Sequence, residues 1–150
     1  MTDLVLRSAG ADDVKGIAEC VRLAYTPYIE RIGTPPGPML GDYDEIVRNH
    51  RAYVVDDDGE VIGVFVLIEG EGGLLLDNIA VCPSRQGEGI GRWLMGHAEA
   101  EARRLGYRHL DLYTHQLMTE NIMLYLRLGY EEIERRIECG FARVYMRKRL

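Results

Sequence analysis

Hydrophobic and polar positions along the chain alternate between two rhythms, one repeating every second residue and the other every three to four. Leu4-Val5-Leu6-Arg7 opens as a short strand, and Ala11-Asp12-Asp13 then caps a helix whose apolar face is Val14, Ile17, Ala18, Val21 and Ala24. From about residue 27 to residue 41 the periodicity is lost. This stretch holds four of the five prolines together with Gly33, Gly37 and Gly41, and reads as a functional loop more than a linker. A second helix is predicted from Asp42 to about His50, and strands over residues 52–55 and 61–67 are joined by Asp56-Asp57-Asp58-Gly59 as a hairpin.

The second half is more regular. An apolar strand, Leu74-Leu75-Leu76-Asp77-Asn78-Ile79-Ala80-Val81, runs into the loop Ser84-Arg85-Gln86-Gly87-Glu88-Gly89-Ile90-Gly91. Ile90, Leu94, Ala98, Ala102 and Leu105 then recur at helical spacing, with Gly106 as the C-terminal stop. A strand over 109–114, a helix over about 119–128 and a closing hairpin near 131–138 and 141–149 complete the order β-α-α-β-β-β-α-β-α-β-β.

Composition narrows the class. At 150 residues, 47% hydrophobic and 28% charged, the chain is long enough for one core and short for two, so a single domain over residues 1–150 is expected. The net charge of −6 argues against the basic face of a nucleic-acid binder, and the cluster Arg147-Lys148-Arg149 reads as a solvated strand end. No apolar run approaches the roughly 18 residues of a membrane span, and no charged-then-apolar leader opens the chain, so a cytoplasmic protein without a membrane partner is expected. Cys20, Cys82 and Cys139 lack the spacing of a disulfide framework or a zinc site and read as free thiols. The acidic turn at 56–58 lacks the twelve-position ligand pattern of a calcium loop, and no metal is expected.

The candidate chemistry lies in the glycine loop. Gly87, Gly89 and Gly91 leave a run of backbone uncovered by side chains, so successive N–H groups at a helix N-terminus can point at one anionic ligand. A dinucleotide fingerprint needs a third glycine where this chain has Arg92, and a Walker loop needs Lys-Ser/Thr, which is absent.

Gln86, Gly89 and Gly91 do match the Arg/Gln-x-x-Gly-x-Gly/Ala signature of the GNAT N-acetyltransferase superfamily. The chain resembles that family in two further elements: Ile79-Ala80-Val81-Cys82-Pro83 is similar to its strand end, and Leu124-Tyr125-x-x-x-Gly129-Tyr130 to its Leu-Tyr-x-x-x-Gly-Phe/Tyr element. The resemblance implies an α/β (α+β) fold with a mixed, mostly antiparallel sheet of about seven strands and about four helices, its strands splayed at the site of acetyl-CoA. By the same resemblance Ile79, Ala80, Val81, Gln86, Gly87, Glu88, Gly89, Ile90, Gly91, Arg92, Asn121 and Tyr125 hold this cosubstrate. Arg85 is a further source of charge or plain surface. The resemblance also allows a homodimer through the C-terminal strands.

Attack of an amine on a thioester builds charge on oxygen, for which the family supplies a backbone donor at the position of Ile79. Tyr125 matches the tyrosine that the family sets beside the sulfur, as general acid or hydrogen-bond donor to the leaving thiolate. The family often has an Asn where this chain has Met118, and Asn121 serves either the cosubstrate or the helix start. Asp77, His115, Glu120 and a water-mediated path all stand as general bases. Tyr25, Tyr28, Glu30, Arg31, Met39, Asp42 and Tyr43 are the expected walls of the acceptor pocket, whose carboxylates favour a cationic amine. The acceptor is then a primary amine on a small molecule or protein. A CoA-binding sensor without transfer is the alternative.

Overall fold

In the computed structural model, which describes residues 4–150, the predicted elements form in the predicted order. Strand β1 (Leu4–Ser8) leads to α1 (Val14–Ile32), α2 (Tyr43–Asn49), β2 (Arg51–Asp57), β3 (Glu60–Gly70) and β4 (Gly73–Val81). Then come α3 (Ile90–Arg104), β5 (His109–His115), α4 (Thr119–Arg127), β6 (Glu131–Glu138) and β7 (Phe141–Arg149). The strands make one sheet in the order β1-β2-β3-β4-β5-β7-β6, antiparallel throughout except between β4 and β5.

Each face of the sheet carries its own core. Ile17 and Val21 of α1 and Tyr43 of α2 pack on Val54, Val64, Val66 and Ala80. On the opposite face Leu94, Met95, Ala98 and Ala102 of α3, with Tyr125 of α4, cover Phe65, Leu67, Leu74, Leu76, Leu110 and Leu112. Buried Glu99 ties the second layer to the C-terminal strands, accepting from the Tyr130 hydroxyl and the Lys148 ammonium at 2.9 Å each.

One expectation fails in the first helix. Periodicity does not end at Pro27: α1 continues through it to Ile32, and Gly33 in the left-handed region closes the helix. Pro27 cannot donate to the carbonyl one turn earlier, but it lies on the exposed face, where water can serve that carbonyl. The irregular segment is therefore shorter than the sequence suggests, and part of it is a 3-10 turn over Gly37–Leu40.

The decisive feature of the sheet is in β4. Its ladder with β3 pairs Leu76 with Leu67 and Asn78 with Val66, so Asp77 is an extra residue, a bulge. A one-residue slip exchanges the two faces of a strand. Leu74 and Leu76 accordingly enter the α3/α4 core, whereas Ala80 beyond the bulge packs in the α1/α2 layer and Ile79 and Val81 turn toward α3.

Candidate active site

The sheet splits where β4 bulges. Parallel pairing of β4 with β5 stops at Leu76–Leu112, so the strand from Asp77 to Val81 and the end of β5 from Tyr113 diverge. In an extended strand, the N–H and C=O of one residue share an edge. The Cys82 N–H bonds the Ile62 carbonyl at 2.9 Å, which turns that residue toward β3. The alternate residues face the split: the Ile79 carbonyl accepts from the Tyr25 hydroxyl at 3.1 Å, and the Val81 carbonyl from the Gln86 side-chain amide at 3.0 Å. The N–H groups of Ile79 and Val81 share that edge, and no side chain among the described residues takes them.

Two cavities open from the split. One is lined by Tyr28, Gln86, Gly87, Gly89, Ile90 and Gly91 at the start of α3. Gly87 and Gly89 have φ of 85° and 83°, a region costly for other residues, and Gly89 is the residue from which α3 starts. The other cavity is walled by Asp77, Asn78, Tyr113, His115, Phe141 and Arg143, with Pro36–Pro38 as its rim. Tyr25, Ile79, Met118, Asn121 and Tyr125 line both cavities.

The side chains at this junction have uneven electrostatics. Burial raises the Asp77 carboxyl above its usual range, opposed by the Tyr113 hydroxyl that donates to it at 3.1 Å and by the charge of Arg143. Burial pushes the Tyr125 phenol up to about 12; its hydroxyl has no hydrogen bond among the described residues. His115 Nδ1 accepts from the Leu117 N–H at 3.1 Å, and burial followed by Arg143 lowers its pKa. Glu120, fully exposed, is held down at about 2 chiefly by Arg31, to which it is bonded at 2.6 Å.

The expected pocket walls separate. Tyr25 stands at the junction, and Tyr28 with Arg31 lines the cavity on the glycine-loop side, the Arg31 guanidinium 5.2 Å from the Tyr28 ring. Tyr43 is buried one layer behind: its hydroxyl donates to the Pro38 carbonyl at 2.5 Å and accepts from Asn78 at 2.9 Å. Met39 and Asp42 do not line either cavity. Met39 packs into the α1/α2 core, and Asp42 caps α2 by accepting from the Glu45 N–H at 3.2 Å. In the glycine loop, Arg85 is held by Asp57 and Glu88, which withdraws both Arg85 and Glu88 from the cavity. Arg92 is exposed and lies outside the lining.

Asn78, Tyr113 and Arg143 belong to none of the sequence motifs, yet all three line the second cavity. The available signal was Asn78, a polar residue at a core-facing position of an otherwise apolar strand. Buried Asn78 accepts from Tyr25 at 3.2 Å and donates to Tyr43, so a chain of bonds runs from the Pro38 carbonyl to that of Ile79. Cys82 is buried with its thiol on the Val61 carbonyl. Among the described residues no three His, Cys, Asp or Glu side chains gather as a metal site, and no helix is long and apolar enough to cross a membrane.

Residues 48–132, more than half of the chain, match the family model described as the acetyltransferase (GNAT) domain. The chain belongs to the GNAT acetyltransferase family. Its resemblance to the uncharacterized N-acetyltransferase YjgM of Escherichia coli (strain K12) is 27% identity over 144 residues, covering 90% of this chain and 86% of that one. Among solved structures, the ribosomal-protein-S18-alanine N-acetyltransferase of Escherichia coli shares the fold with a TM-score of 0.75 at 19% identity, over 97% and 93% of the two chains. The PaiA N-acetyltransferase of Thermoplasma acidophilum, solved in complex with coenzyme A, does so with 0.76 at 16% identity, over 98% and 99%. The GNAT fold thus holds across the length of the chain, and acetyl transfer from acetyl-CoA is the general activity that membership supports.

Proposed function

We propose that this GNAT protein moves the acetyl group of acetyl-CoA to a primary amine of a small molecule or protein by direct attack, with both substrates bound at once. The observation that carries this reading is that Asp77, the cleft edge of Ile79 and Tyr125 line the two adjoining cavities, with Ile79 and Tyr125 common to both.

The glycine-loop cavity suits acetyl-CoA. Nothing stands within 4 Å of where a side chain of Gly87 or Gly89 would begin, so a pyrophosphate can approach the N–H groups at the positive end of α3. The peptide groups of Ile79 and Val81 offer an edge for the amide-bearing arm, in the manner of an added strand. Acetyl-CoA supplies an activated thioester; the protein orients it and handles charge and protons.

Asp77 is the base we favour among the candidates. Its carboxylate lies in the acceptor cavity with a raised pKa, whereas Glu120 is exposed and ion-paired and His115 uses Nδ1 as a turn acceptor. The Ile79 N–H would face the thioester oxygen, where a donor is worth roughly 10²–10³ in rate. Tyr125 stays protonated at neutral pH and can donate to the departing sulfur; with a pKa near 12 it serves as a hydrogen-bond donor more than a full proton source.

Free-thiol release across a panel of amines, with the parent and Asp77→Asn, tests the proposal. Amine-dependent release that collapses in the variant is expected. Acetyl-CoA binding without release for any amine would favour the sensor alternative.

A further inference from the structure

The acceptor cavity holds two opposite charges that do not pair with each other. Asp77 accepts from the hydroxyl end of Tyr113, while the Arg143 guanidinium lies over the face of the same ring, 4.4 Å from its centroid. No ion pair of 4 Å or less joins Asp77 to Arg143 among the described residues. Arg143 makes one long contact, 3.4 Å from Nη1 to Glu138, and Glu138 is also taken by the Tyr145 hydroxyl. Its Nε and Nη2 make no hydrogen bond of 3.5 Å or less among the described residues. The guanidinium is also pressed against the loop: a side chain at Gly37 would begin 2.8 Å from Nη2, so this glycine gives the Arg143 fork its place at the cavity rim.

A guanidinium with 18% of its side-chain surface exposed, held on an aromatic face and by a single long ion pair to Glu138, keeps donors for a planar anion. A simple alkylamine would bring it no partner. Around the two charges the walls are aromatic and apolar, with Tyr113, Phe141, Leu112 and Met118. We infer that the acceptor is an amino acid with an apolar side chain, its amine at Asp77 and its carboxylate on Arg143, with the apolar body against Phe141 and Tyr113. Such a zwitterion answers both fixed charges with one small skeleton, and the cavity opens into the glycine-loop cavity through Tyr25, Ile79, Met118, Asn121 and Tyr125, which line both. This inference rests on the reading of the split sheet as an amine acetylation site.

The test uses matched acceptors, phenylalanine, phenylalaninamide and phenethylamine, with thiol release as the readout. The parent protein should favour phenylalanine over the two carboxylate-free compounds in kcat/KM by about 10- to 100-fold, the range of a hydrogen-bonded charge pair. In Arg143→Gln that ratio should fall toward one, and in Arg143→Lys it should be partly kept, since charge remains and the planar fork is lost. Circular dichroism and thermal unfolding establish that the variants are folded; should Arg143→Gln fail to fold, the Lys variant carries the comparison. Equal or better use of phenethylamine by the parent overturns the inference and leaves the transferase reading standing. So does a preference of the parent's full size in the folded variants. No thiol release with any amine, in protein that binds acetyl-CoA, overturns both.

Discussion

The Tyr25 hydroxyl lies 3.1 Å from the carbonyl of Ile79, so a helix on one face of the sheet fixes the peptide group at the open edge of the split. The same hydroxyl reaches Asn78, and through Tyr43 the chain of bonds extends to Pro38. Tyr25→Phe should keep the ring packing and free that edge. We expect a stability loss of about 1 kcal/mol, the usual worth of one hydrogen bond, and a larger loss in turnover than in acetyl-CoA affinity. Denaturant unfolding and steady-state kinetics with a competent amine provide the comparison. Unaltered turnover in the variant would separate the bond from the chemistry.

Gly91 and Gly89 should respond differently to substitution. A side chain at Gly91 meets only Val81 Cγ2, at 3.9 Å, and the family signature admits alanine at this position. Gly91→Ala is therefore expected to fold at least as well as the parent and to keep its acetyl-CoA affinity, whereas a bulky residue at Gly89 should weaken binding by covering the backbone. Gly89→Val adds a backbone cost of about 1–2 kcal/mol, because Gly89 sits at φ 83°. Calorimetry of acetyl-CoA binding, paired with thermal unfolding, distinguishes the two effects. A folded Gly89→Val protein with full affinity would place the pyrophosphate elsewhere.

Asp77 gives a signed pH prediction. As a base it works ionised, so kcat/KM should rise with pH through its pKa, which burial sets above the ordinary carboxylate range. The Tyr113 hydroxyl opposes that rise, and Tyr113→Phe should therefore move the acid limb to higher pH, whereas Asp77→Asn should abolish it. Stability follows the same sign. The raised pKa means that folding disfavours the charged form, a penalty fully present above the folded pKa and gone below the unfolded one. Asp77→Asn should thus gain stability at pH 7 relative to the parent and lose that advantage near pH 3. A limb that stays in place in both variants would exclude Asp77 as its source.

Tyr125→Phe should lower turnover by roughly 10²-fold if the phenol donates to the leaving sulfur, with acetyl-CoA affinity spared. Because its pKa stands near 12, ionisation of Tyr125 makes no limb below pH 10, and the pH profile should keep its shape as it drops. Equal turnover at every pH would return Tyr125 to a packing role against Tyr130, whose ring centroid is 6.0 Å away.

Local periodicity made the elements legible, down to the hairpin turn and the glycine that ends α3. It misread Pro27, because a proline normally interrupts a helix and only the fold shows that its missing donor faces solvent. Tyr25 was visible as an aromatic near the loop; the roles of Tyr113 and Arg143 were not, because they depend on β5 lying beside β7 with His115 opposite Arg143. Such a juxtaposition joins residues far apart in the chain and leaves no periodic trace. Asp42 carried a readable signal of another kind, an acidic cap before a helix, and its side chain is spent there.

The bulge at Asp77 lies between two bodies of sequence with separate duties. The stretch from Ile79 through Gly91 to α3 is continuous, while the far cavity borrows its rim from residues 36–38 and its cation from residue 143, near the other end of the chain. Exchanging those distant pieces leaves the stretch from 77 to 91 unaltered. On the acetylation reading, a new acceptor would call for changes at position 143 and in the rim, with the Pro38 carbonyl kept because Tyr43, Asn78 and Tyr25 carry its hold to Ile79.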